Sequence, residues 1–415
     1  MNTWSVSLRG LATVVNLEVM QRLRSKKWLW ALIAWAVVLA LITSLIMWTV
    51  YDSFSYRLSR VTNPVELSDT GAGPMAFSII VLLLMGLSLV VAPAFTATSI
   101  NGDRSAGTLA TLQATGLSAA EIAGGKLIAA WLTAGAFLVA ASPSLGASMF
   151  FGNISVWMVL VCLVVIFLLI AVMCAIGLGW SALFNRAAAS TVMTYLSIAL
   201  LSIISPLVML FTLPFLEEEM EVEVWGVTKE EKRSYERQWD EYWEKTDQGE
   251  YMVAPEPPAD QCHWMTRERD ETRIDKVWWL FVPNPYVVVA DAAPVSSSVD
   301  MGDIDVLHGL SVMVREMSRP PAKQIDECYE LYYTGYTGAP YEVIHNDDGT
   351  VTVKKNGVVI DVPQSPVKPR PPAESYPVWP LGLAVNLLLG AGFFVLTVNR
   401  LKIPYRALAK GTRIA

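Results

Sequence analysis

Val156–Leu183 reads VWMVLVCLVVIFLLIAVMCAIGLGWSAL, twenty-eight residues without a single Asp, Glu, Lys or Arg. At 1.5 Å rise per residue a helix of this length extends about 42 Å, enough to cross a hydrocarbon core of about 30 Å with some tilt. One charge at its centre would cost roughly 2.5 to 3.5 kcal/mol on the insertion scale, so a clean run of this kind points to a membrane helix. The alternative is a buried core helix of a large soluble protein. Five further runs weigh against that: Trp28 to Val50, Met75 to Ile100, Leu127 to Phe151, Ala187 to Phe215 and Val378 to Asn399 are equally free of charge.

The whole chain has 415 residues, 53% hydrophobic and 17% charged, against roughly one quarter charged in soluble domains. Its net charge of −7 is an average over two opposite parts. Residues 216–376 hold 16 Lys and Arg against 32 Asp and Glu, net −16, which leaves 15 against 6, net +9, for everything else. A soluble enzyme, a nucleic-acid binder and a disordered chain are all disfavoured by this pattern.

The basic residues also orient the runs. Arg9, Arg22, Arg24, Lys26 and Lys27 precede the first run against a single Glu18, and Arg400, Lys402, Arg406, Lys410 and Arg413 follow the last with no acid. Both termini are therefore expected in the cytoplasm. The expected fold is an all-α polytopic membrane protein with six transmembrane helices and an N-terminal interfacial amphipathic helix. A mixed α+β extracytoplasmic domain is expected between spans five and six. The divisions are 1–27 for the interfacial helix, 28–215 for spans one to five, 216–376 for the outer domain, 377–400 for span six and 401–415 for a basic tail. Within residues 4–27, Trp4, Leu8, Leu11, Val15 and Val19 recur at helical spacing, suiting a helix in the membrane interface or a solvated one. The first run is too long for a cleavable signal and reads as an anchor. Pro93, Pro143 and Pro206 lie inside spans, where each removes a backbone hydrogen bond; they are candidates for bends, structural or moving.

The spans contain no ionisable relay of the kind a secondary transporter uses, and His263, His308 and His345 all lie in 216–376. Gly125-Lys126 mimics the end of a phosphate-binding loop, but Ala120 and Leu127 stand where its first Gly and its hydroxyl residue belong. No catalytic residue and no nucleotide site of its own are expected.

The loop 101–126 is the informative cytoplasmic segment. Asn101-Gly102 is a turn signal, Asp103 suits a helix cap, and Leu109 and Leu112 give a short helix one apolar edge. Ser118 and Glu121 have capping-box spacing, so a second helix is expected from about Ala119 into the third span. A well-capped structural loop would look the same.

These residues resemble the membrane subunits of type 2 ABC exporters, the ABC-2 permeases, whose loop after the second span reads like I-S-x-E-R-E-x-G-T-L-E-x-L-L followed by E-I and G-K. The matching residues are Asp103-Arg104, Gly107-Thr108-Leu109, Leu112, Glu121-Ile122 and Gly125-Lys126; Asp103 stands for a Glu, Ser105 and Ala106 for a charged pair, and Ala110 for an acid. The six-span order, the basic helix before the first span and the large connection before the last agree with that family as well. Trp278 to Pro294 (W-W-L-F-V-P-N-P-Y-V-V-V-A-D-A-A-P) is similar to the N-P-bearing segment before the last span in actinobacterial members. The resemblance implies a permease in a bacterial plasma membrane that works with a second copy or a homologous permease and with two copies of a separate ATP-binding subunit. That subunit would use ATP and Mg, while this chain binds no cofactor. It also implies that Asp103, Arg104, Gly107, Thr108, Leu109, Leu112, Glu121 and Lys126 form an ATPase-coupling element. The uncharged spans favour export of an amphipathic, drug-like or lipid-like substrate. The competing reading is a membrane-anchored receptor or assembly protein whose acidic domain binds an outer partner.

In the outer part, Thr228 and Glu231 again have capping-box spacing. A helix is expected over Lys229 to Lys245, with Tyr235, Trp239 and Trp243 on one face for core packing or substrate contact. Tyr341 to His345, Thr350 to Lys354 and Val358 to Val362 alternate as strands joined at Asp348-Gly349 and Asn356-Gly357. Cys262 and Cys328 are the two cysteines of this part, on the oxidising face; a disulfide between them would be worth roughly 4 kcal/mol in the chain-entropy model. Cys262-His263 has no ligand array around it, so no metal is expected, and Cys162 and Cys174 suit packing. Residues 277–294, with Trp278, Trp279, Pro283, Asn284 and Pro285, are too short and broken to cross; they suit a re-entrant or interfacial pair against lipid. Pro363 to Pro372 reads as a stiff tether.

Overall fold

A computed structural model of the chain describes residues 4–58, 72–114, 116–149, 154–248, 255, 262–293, 306–328, 341–345, 351–355, 358–360, 366–367 and 377–402. The tail beyond Lys402, most of 363–372, the turns at Asp348-Gly349 and Asn356-Gly357, Phe151, Pro294 and most of the connection 51–74 lie outside the described residues. Six helical stretches are long and apolar enough to cross a membrane: Trp28–Thr49, Pro74–Ser105, Ala119–Ser148, Val156–Leu183, Ala187–Phe215 and Trp379–Arg400.

The chain divides into two units. The first comprises Met1–Phe211, Val277–Ser318 and Tyr376–Ala415; the second comprises Thr212–Lys276 and Arg319–Ser375. The expected outer domain 216–376 is therefore not one body, because Val277–Ser318 folds with the apolar helices.

In the first unit, α1 (Leu8–Leu23) is followed by α2 (Lys26–Leu58) and α3 (Ala72–Ala94). Two short helices, α4 (Ser99–Ser105) and α5 (Thr108–Ala114), lead into α6 (Ala119–Ser148), α7 (Val156–Leu183) and α8 (Ala187–Ala199). A π-wound turn, Leu200–Ile204, joins α8 to α9 (Ser205–Thr212). α7 is the centre of the core and packs against α3, α6 and α8; its apolar side chains Cys162, Ile166, Leu169, Cys174 and Ile176 are fully buried. Both of these cysteines are free. Because α7 is apolar all round, neighbours cover it on several sides, the pattern of a buried rather than an amphipathic helix.

One of the three proline expectations changes. Pro93 sits next to the last residue of α3, where the chain leaves the helix through Phe95 to Thr98, so it marks an end rather than a bend; its carbonyl accepts from Ala97 N at 2.8 Å. Pro143 lies inside continuous α6, and the carbonyl of Val139, four residues back, accepts from Ser142 Oγ at 2.8 Å. Pro206 follows the π turn.

The second unit holds β1 (Glu217–Gly226), α10 (Lys229–Asp247) and β2 (His263–Thr272). Back in the first unit come α11 (Pro285–Ala292) and α12 (Val306–Met317). β3 (Gln324–Asp326), β4 (Tyr341–His345), β5 (Val351–Lys355) and β6 (Val358–Ile360) return to the second unit, and α13 (Trp379–Arg400) ends the described chain in the first. β1 lies between antiparallel β2 and parallel β3 in one three-stranded sheet, and β4-β5-β6 form an antiparallel second. The α10 capping box is complete, and Tyr235, Trp239 and Trp243 line one face with Trp239 stacked on Trp243. Of the three aromatics only Tyr235 is buried, and Trp243 is 58% exposed. Cys262 and Cys328 are joined in a disulfide.

Candidate functional site

Ser118 begins the candidate site. Its Oγ accepts from Glu121 N at 3.1 Å and Glu121 Oε2 accepts from Ser118 N at 2.8 Å, which completes the expected capping box at the start of α6. The other carboxylate oxygen of Glu121 accepts from Ser7 N at 2.8 Å and from Ser7 Oγ at 2.6 Å, and Ser7 is itself the N-cap of α1. One carboxylate thus satisfies the N-termini of two helices, where negative charge is favoured by both dipoles. Ser118 Oγ also donates to Ser5 O at 2.5 Å.

Beyond this staple α1 runs along α6. A methyl group at Gly125 would stand 2.5 Å from Val14 Cβ, so the absence of a side chain at that position is what allows the approach. Leu11, Val15 and Val19, expected to lie in a membrane interface, are half-buried, while Trp4 and Leu8 are 47% and 84% exposed.

The next residue closes the site. Lys126 is 2% exposed, with its Nζ 2.5 Å from Glu18 Oε1 and 2.6 Å from Asp103 Oδ2. Arg22 extends the cluster: its Nη1 donates to Thr133 Oγ1 at 2.9 Å, Nη2 lies 3.8 Å from Glu18, and its guanidinium sits over the Phe95 ring. One cation therefore ties α1 and α4 to α6.

This geometry corrects the reading of Asp103 and of Asn101-Gly102. All three residues lie within α4; Asp103 is the partner of Lys126 and caps no helix. The cap of α4 is instead Ser181 Oγ of α7, which accepts from Ile100 N at 2.9 Å and Asn101 N at 3.2 Å. The turn comes at Gly107, whose φ of +73° is a conformation that a side chain disfavours. Leu109 is buried, with Leu112 packed beside it, among Ile100, Ala120, Ile122, Leu178 and Val398. Arg104 Nη1 donates to Asn185 Oδ1 at 2.7 Å, and Gln113 Nε2 to Leu401 O at 3.3 Å. The exposed tip is Ser105-Ala106-Gly107-Thr108, which carries no charge.

Of the eight coupling residues expected, Gly107 and Thr108 are thus exposed at the tip. Leu109, Leu112, Glu121, Lys126, Asp103 and Arg104 act within the chain, seating that tip on α1, α6, α7 and α13. Ser7, Glu18, Arg22 and Ser181 were not foreseen. Glu18 had a signal, since it is the one acid among the first 51 residues and stands amid bases.

The segment expected to be re-entrant forms a second polar cluster, also in the first unit. Trp278 starts a short 3₁₀ turn, Trp279 is 59% exposed, and Asn284 caps α11 by accepting from Tyr286 N, with Pro285 in the first turn. Asn386 Nδ2 of α13 donates to Pro283 O at 3.0 Å. Asp291, almost wholly buried, accepts from Ser311 Oγ at 2.8 Å, Arg315 Nε at 2.5 Å, Val378 N at 2.7 Å and Trp379 N at 2.6 Å, which caps α13. Comparison of the chain with protein-family models, with curated proteins and with solved structures found no match.

Proposed function

We propose that the chain is the permease subunit of an ATP-driven exporter of the ABC-2 type, crossing a bacterial plasma membrane six times with both termini cytoplasmic. The observation that carries this reading is the α4–α5 tip. It is uncharged and solvent-facing, yet its base is bound by Lys126 to α1 and α6 and by Leu109 to the core. Such an element transmits a push from a docked ATP-binding subunit without deforming. The uneven cover of the apolar helices supports a pathway shared with a second copy. Within the chain, 11% of the residues in the apolar eighteen-residue stretch of Trp28–Thr49 and of Ala187–Phe215 are buried, against 56% to 67% in the three helices between them. These two helices are left for lipid or for the partner copy.

The test is Thr108→Arg in the chain co-expressed with a candidate ATP-binding subunit. The charge is expected to abolish co-purification of the ATPase while the permease stays folded; retention of a fully active complex would remove the tip from the docking role.

One observation favours the second reading, an anchored receptor for a cationic partner. On one face of the β1–β2 pairing, Glu219 stands opposite Asp270 and Glu221 opposite Glu268, all exposed. Like charges placed so are destabilising by themselves. Absence of any ATP-binding subunit from the purified protein, together with salt-sensitive binding of a basic peptide, would favour that reading.

A further inference from the structure

Pro206 has no N–H. An N–H at this position would reach the carbonyl of Ser202 at α spacing or that of Leu201 at π spacing. Both carbonyls accept from side chains instead: Leu201 O from Ser205 Oγ at 2.8 Å, and Ser202 O from Asn284 Nδ2 at 3.1 Å. The same amide nitrogen lies 3.3 Å from Ser205 Oγ, and Asn284 is 3% exposed. Directly before the proline, Leu200–Ile204 is π-wound and closes with Ser205 N on Leu200 O.

The other contacts of Asn284 belong to a segment fixed on α13. Asp291 caps that helix, Asn386 holds Pro283 O, and the backbone at Gly382 sits against Val282 O so closely that a side chain at 382 would collide with it. Asn284 therefore joins the segment packed on α13 to the π-wound turn of the fifth apolar helix, where Pro206 leaves neither winding a backbone N–H to close it. A π turn holds one residue more than an α turn, so rewinding changes the register of all that follows by one residue, about 100° of rotation.

We infer that Asn284 is a clasp that keeps the fifth apolar helix π-wound, and that its release rewinds the turn and rotates Ser205–Thr212 against Ala187–Ala199. Met209, 2% exposed in the clasped form, then leaves the core. The inference concerns this chain alone and does not depend on ATPase docking.

The test places a cysteine at Met209 in the purified full chain, where Cys162 and Cys174 are buried and Cys262 and Cys328 are bonded, and follows its reaction with a maleimide. Asn284→Asp retains the size and the acceptor for Tyr286 N but replaces the donor with an oxygen that repels Ser202 O. Loss of one hydrogen bond predicts labelling about five- to ten-fold faster than with Asn284. An unchanged rate overturns the clasp. A variant in which Cys162 and Cys174 also react has unfolded; the decision then passes to Asn284→Ala, which removes the donor to Ser202 O without adding a carboxyl. Faster labelling there, with Cys162 and Cys174 silent, supports the clasp, and an unchanged rate overturns it.

Discussion

Two buried ions hold the first unit together, and they are held differently. Lys126 lies between Glu18 and Asp103, whose side chains are 14% and 27% exposed. Asp291 is wholly enclosed, and half its hydrogen bonds come from backbone N–H groups at the start of α13. The first arrangement joins three helices through side chains that water still reaches, so it yields by degrees. The second has no solvent to fall back on, so it is intact or broken. A buried charge stripped of its partner costs far more than a half-exposed one, because desolvation is no longer offset.

The largest effect is therefore expected at Asp291. Asp291→Ala takes the carboxylate away from buried Arg315, from Ser311 and from the start of α13, and should destabilise the unit by about 3 to 5 kcal/mol, read as a lower thermal midpoint in detergent. An effect below that of Lys126 variants would reverse the comparison. Lys126→Met should cost less, about 1.5 to 3 kcal/mol, since Glu18 and Asp103 turn partly to water. Adding Asp103→Asn should restore part of the loss, because two facing carboxylates become one; simple additivity of the two changes would show that Lys126 bridges nothing.

The hydrogen-bonded carboxylates of the second unit form the weak end of the scale. Hydrogen bonds from Lys276 to Glu218, from Arg273 to Asp275 and from Thr228 to Glu231 hold these carboxyls below their ordinary values of 4.5 and 3.8. Each group lowered on folding stabilises the fold above its unfolded value, and that contribution is lost as pH falls through the folded value. The melting midpoint of the second unit should decline only gently below pH 4.5 and be flat above it, with salt reducing the slope; a steep loss above pH 5 would contradict this.

The sequence shows the parts of this design that local rules govern. Charge-free runs mark the apolar helices, the S-x-x-E spacings mark the starts of α6 and α10, and alternating residues mark β4 to β6. The long strand β1 went unread although Met220, Val222 and Val224 alternate with glutamates there, because a run of acids between apolar positions looks like a solvated linker. Partner choice was not readable, since spacing does not say that Glu18 meets Lys126 across 108 residues or that Asp291 caps a helix beginning 88 residues later. Pro206 was legible as a break in a helix, while the donor that compensates it comes from Asn284, far along the chain.

The central claim is that Ser105–Thr108 is where an ATP-binding subunit pushes. Its most direct measurement is a photo-crosslinking amino acid placed at Thr108 in the intact cell, with the adduct identified by mass spectrometry and Trp48 on the exposed face of α2 as the control position. The account predicts a crosslink from 108, and none from 48, to a protein carrying a G-x-x-x-x-G-K-[ST] loop. Crosslinking from 108 to lipid or solvent alone would contradict it.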